Sequence, residues 1–138
     1  VKTQTGERSP FTLTGPDRER LRARLDLALQ RTRRSGRPTL ATITCALPPE
    51  VDPSAVVCAS RRAGEPWFVF EQPDRGGSAL AGLGQVVSLE DSGPDRFATV
   101  ADRWRSLSAR AVADSPGESP GRGGPVAFGG FAFAPGGG

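Results

Sequence analysis

EPWFVFEQPDRGGSALAGLGQVVSLEDSGPDRF, residues 65–97, holds most of what decides the fold. Trp67, Val69 and Glu71 alternate with Phe68, Phe70 and Gln72, so both faces of one strand carry large groups. That pattern predicts a strand covered on both sides. Pro73, Asp74, Arg75, Gly76 and Gly77 supply turn chemistry, because proline presets φ and glycine accepts positive φ without a Cβ clash. Val86, Val87 and Leu89 read as the next strand, and Ser92-Gly93-Pro94-Asp95 opens a helix.

Upstream, residues 1–14 are polar and unpatterned, which predicts a disordered lead. A helix follows over residues 16–34. Pro16 suits its first position, Asp17 and Glu19 its positive end, and Arg31, Arg33 and Arg34 its negative end. Leu21, Leu25, Ala28 and Leu29 form its apolar stripe, and Gly36 with Pro38 stops it. Residues 39–47 alternate, with Ala41, Ile43, Cys45 and Leu47 on one face and Thr42 and Thr44 on the other, which predicts a strand. Asp52-Pro53 reads as the cap and first residue of a short helix that turns Ala55, Val56 and Ala59 inward.

Downstream, Phe97, Val100, Ala101, Trp104, Leu107 and Ala111 recur at three- and four-residue steps over residues 94–112. The pattern predicts a helix laid on a sheet, with Trp104 buried and Arg96, Asp102, Arg103 and Arg105 facing away. Residues 114–124, DSPGESPGRGG, are too poor in apolar groups to fold and read as a flexible linker. PVAFGGFAFAP, residues 125–135, reads as a strand with Phe128, Phe131 and Phe133, and Gly129-Gly130 as a bulge or close approach. The fold class is therefore α+β, an antiparallel sheet with packed helices. A chain of 138 residues is of one-domain size.

The net charge of +3 is spread among interspersed signs, as in Asp17-Arg18-Glu19-Arg20, so it reads as a solvated surface rather than a nucleic-acid patch. No apolar run reaches bilayer length, and no basic-then-apolar leader is seen. The expectation is a cytoplasmic protein with no nucleic-acid or membrane partner. Cys45 and Cys58 match no metal spacing and sit among small apolar residues, which predicts buried free thiols.

Few residues carry chemistry. Histidine is absent, which removes Ser/His/Asp and Cys/His sets. Gly82-Leu83-Gly84 lacks a third glycine at Val87, and no Gly-Lys-Ser/Thr follows, so residues 76–84 read as a hairpin-type turn rather than a phosphate loop. Glu90-Asp91 abuts a helix start, and Asp114 and Glu118 lie in the linker. Neither pair makes an acid/base or metal set. Trp67, Phe68 and Phe70 could stack bases, but no arginine weave surrounds them and a core role fits better. Catalytic, cofactor-binding and metal residues are thus expected to be none.

GEPWFVFEQPDRGG, LEDSGPDRF, the Trp-bearing helix, the Gly/Pro linker and PVAFGGFAFAP, in that order, resemble the N-terminal portion of isochorismate synthases. The resemblance covers about residues 40–135, and blocks 66–77 and 126–135 match best. It implies the opening part of the α/β sandwich of chorismate-utilising enzymes. It also implies a Mg2+-dependent isomerase of menaquinone or siderophore biosynthesis, with chorismate as ligand in the full-length enzyme. In that family the lysine base, the glutamate acid and the metal-holding glutamates lie beyond the Gly-Gly-Phe strand. Lys2 matches no family motif, so no catalytic residue carries over and no Mg2+ is expected to bind this chain. The implied packing partner is the missing C-terminal half, without which the chain is expected to be inactive. A salicylate, anthranilate or aminodeoxychorismate synthase is the sister reading. A non-catalytic scaffold or binding module that offers PVAFGGFAFAP as a docking strand is the non-enzyme one.

Overall fold

The computed structural model describes residues 12–74, 76–114 and 123–133. Among them, helix α1 spans Gly15–Ser35, α2 Pro53–Ser60 and α3 Arg96–Ser108; strands β1 (Trp67–Gln72) and β2 (Ser78–Leu83) form an antiparallel pair. The architecture is α+β, as the sequence predicts. The described residues fall into two compact units, one of residues 12–15 with those in 47–85 and one of residues 16–46 with those in 86–133.

In the first unit, β1 and β2 pair from Trp67↔Leu83 to Gln72↔Ser78. Gly76 and Gly77 both take positive φ, and the Gly77 N–H donates to the Pro73 carbonyl at 3.2 Å. This closes the loop early enough for the second strand to begin at Ser78. The second strand is therefore SALAGL and not the stretch around Val86, Val87 and Leu89; Val86 is 89% exposed. Gly84, again at positive φ, donates its N–H to the Pro66 carbonyl at 2.8 Å and carries the pairing past Leu83. The expectation of cover on both faces fails for β1, since Trp67 and Phe70 are each about half exposed.

Asp52 caps α2 as predicted, its Oδ1 accepting from the N–H groups of Ser54 (2.9 Å) and Ala55 (3.2 Å). The buried residues are Ser54 and Val57, whereas Ala55 and Ala59 are exposed and Val56 is half-buried. With the helix start pinned by the cap, the line that meets the hairpin runs through positions i and i+3. At the other end, the Arg61 guanidinium lies over the Trp67 ring, 4.9 Å from its centre. That stacking is a cation–π contact and covers one side of an otherwise exposed indole.

In the second unit, α1 matches its predicted span, with Asp17 in the first turn and Arg33 and Arg34 in the last. Its inward line is narrower than the expected stripe. Ala28 is buried and Leu21 half-buried, while Leu25 and Leu29 are exposed. Residues 39–47 do not form a strand of a sheet. They make one parallel bridge, Ala41↔Val112, and the pairing goes no further because the Thr44 N–H donates to the Asp114 carboxylate instead of to a backbone carbonyl.

Helix α3 stops at Ser108 rather than continuing to residue 112, and in its unit it lies against extended and looped chain instead of a sheet. Trp104 is half-buried rather than buried, Leu107 is buried, and Arg103 and Arg105 are exposed as predicted. Arg96 reverses its prediction and is 7% exposed. It shares the line i, i+4, i+11 with Val100 and Leu107, so the helix is turned toward Arg96 and leaves Phe97 half out. Phe97 is met from outside by Phe131, with ring centres 4.5 Å apart.

Two further expectations change. Cys58 is exposed and Cys45 half-buried, so only Cys45 is partly withdrawn from solvent. The described part of residues 125–135 carries no strand, and Phe128, Phe131 and Phe133 stay largely exposed. The predicted lead falls mostly outside the described residues, as do Arg75, residues 115–122 of the linker and residues 134–138.

Candidate functional site

Among the described residues, the Asp114 carboxylate has no solvent-exposed side-chain surface. Its Oδ1 accepts from Arg24 Nη2 at 2.5 Å and its Oδ2 from the Thr44 N–H at 2.6 Å. Arg24 Nη1 also donates to the Ala113 carbonyl. Beside this pair, Arg20 Nη2 reaches the Thr44 carbonyl at 2.9 Å and Cys45 Sγ at 3.4 Å, and it faces Asp17 at 3.3 Å. Burial pushes the Cys45 thiol above its ordinary range; a hydrogen bond and repulsion from Asp17 add to this, and Arg20 opposes it. Every charged partner named here is a protein group, and together they fix α1 to residues 44–45 and 113–114. Such an arrangement holds chain in place.

Arg96 plays the same part elsewhere in the unit. Its Nη1 donates to the Gly93 carbonyl at 2.8 Å, and its Nη2 to the carbonyls of Ala132 (2.9 Å) and Phe133 (3.2 Å). The guanidinium also rests 4.4 Å from the centre of the Phe97 ring. One side chain thereby caps the approach to α3 and anchors the aromatic segment.

The first unit has an open groove of about 370 Å³, with Glu50, Asp52 and Glu71 among its lining residues and Pro49, Pro53 and Pro73 beside them. Asp52 is already engaged as a helix cap. Among the described residues no three of His, Cys, Asp and Glu come together as a metal would require.

The groups singled out in the sequence separate in space and role. Glu90 Oε1 accepts from Ser88 Oγ at 2.6 Å, and Asp91 faces Arg103 at 3.7 Å, so these neighbouring acids serve two local contacts. Residues 76–84 are a turn only at Gly76-Gly77; the rest is strand β2, with Gly82 paired opposite Phe68 and the Gly84 N–H bonded to the Pro66 carbonyl, an arrangement unlike a phosphate loop. Lys2 and Glu118 lie outside the described residues. Asp114, Arg24 and Arg96 were missed as structural centres. Arg96 could have been found from its helical line with Val100 and Leu107, whereas Asp114 and Arg24 are 90 positions apart and no local pattern joins them.

A family model described as chorismate binding enzyme matches residues 27–137, from within α1 to beyond Phe133. The chain belongs to the chorismate binding enzyme family. No curated protein matches it, and no solved structure does. Membership bears on the groove at once. Chorismate is a dicarboxylate, and a groove rimmed by Glu50, Asp52 and Glu71 repels it. The acidic lining thus disfavours a dicarboxylate in this groove, and Arg24 and Arg96 donate to protein oxygens. Among the described residues no helix is long and apolar enough to cross a membrane.

Proposed function

We propose that the chain is the N-terminal, scaffold-forming portion of an isochorismate synthase, in which chorismate is isomerised to isochorismate for menaquinone or siderophore supply in the cytoplasm. The observation that carries this reading is the order GEPWFVFEQPDRGG, LEDSGPDRF and PVAFGGFAFAP inside a family match spanning residues 27–137. In this reading the first block carries β1 and ends just before β2, and Arg96 ties the start of α3 to the last block. The base, the acid and the groups that hold Mg2+ come from polypeptide outside these residues. This chain supplies the elements on which that catalytic half packs, and it is inactive by itself.

The test compares the 138-residue chain with the same chain joined to whatever its gene encodes next, each given chorismate and Mg2+. The reading expects isochorismate from the joined polypeptide and none from the chain alone. Conversion by the chain alone would place a site within it and sink the scaffold role. Salicylate, anthranilate or aminodeoxychorismate from the joined polypeptide would move it to a sister reaction.

A further inference from the structure

We draw no further inference here: the strongest candidate, the exposed surface patch of Arg31, Arg33, Arg34 and Arg37 at the C-terminal end of α1, carries nothing because no observation in the structure shows what covers it.

Discussion

In the hairpin unit, the bonds that fix the chain stay within one turn or one hairpin: Gly77 to Pro73, Ser54 and Ala55 to Asp52, and Gly84 to Pro66 at the open end of the β1–β2 pair. In the helical unit they reach across 24, 36, 70 and 90 positions, and an arginine or Asp114 stands at one end of each. The first unit is built from turn and cap chemistry, the second from long cationic side chains that gather backbone oxygens. The difference teaches that a segment poor in apolar groups can still be ordered when a buried charge holds it. Residues 113–114 are the example, at the start of a stretch whose composition reads as linker.

The comparison can be broken most severely at Asp114. Asp114→Ala removes the buried carboxylate that the Arg24 guanidinium and the Thr44 N–H both meet. Losing one partner of a buried pair costs about 3–5 kcal/mol. Chemical unfolding should show that loss, and amide exchange should place it in α1 and residues 40–45 while the hairpin amides keep their protection. Equal loosening in both units would show that Asp114 does not belong to one of them alone.

Arg96→Leu keeps bulk and removes the donors to Gly93, Ala132 and Phe133. We expect a loss of about 2–3 kcal/mol, the range for buried acceptors deprived of a charged partner. Exchange should increase in the first turn of α3, and limited proteolysis should release residues 123–133. Protection of that segment at the unaltered level would mean the Phe97–Phe131 contact holds it without the guanidinium.

These two residues also mark what the sequence could and could not disclose. Local rules located all three helices to within a few residues, since caps, prolines and periodicity act over one or two turns. They located β1 but misplaced its partner, because the apolar run at Val86-Val87 outweighed SALAGL, whose pairing is set by two glycines at positive φ. Residues 39–47 have the alternation of a strand but only one backbone bridge, because the Thr44 N–H goes to the Asp114 carboxylate. Arginine was read as a surface residue by composition, so the buried heads of Arg24 and Arg96 went unseen. For the candidate site, the family resemblance was legible in three ordered blocks, whereas the described residues bring no catalytic set together.

Smaller changes sharpen the account of the hairpin unit. Gly76→Ala places a Cβ at φ +66°, a conformation L residues rarely adopt, with open space around it. The effect is therefore backbone strain alone, about 1 kcal/mol. Asp52→Ala removes the α2 cap and should lose about 1 kcal/mol as well. Both changes should leave α1 and Asp114 untouched in exchange measurements. Loosening in residues 40–45 by either one would refute the contrast between local and long-range restraint.

The smallest expected effect separates the two thiols, one in each unit. Cys58 is exposed on α2, while Cys45 is half-buried beside Arg20 and Asp17. Burial raises the Cys45 pKa, with Asp17 reinforcing the shift and Arg20 opposing it. Only the thiolate attacks an alkylating agent, so at neutral pH the half-buried Cys45 should react more slowly than the exposed Cys58. Its rate should go on rising at pH values where a fully solvated thiol has levelled off. The sign for stability follows from the same shift. A folded-state pKa above the unfolded one favours the protonated thiol in the fold, so its contribution is complete below the unfolded thiol's pKa. It is lost as pH rises through the folded value. Unfolding measured at neutral and alkaline pH should therefore show a larger alkaline loss for the unaltered chain than for Cys45→Ser, which does not ionise in that window. Mass spectrometry of a timed iodoacetamide reaction reads the rates directly. Equal labelling of Cys45 and Cys58 at neutral pH would mean that the Arg20–Thr44 contact opens freely, and the long-range restraint of the helical unit would then be weaker than its geometry implies.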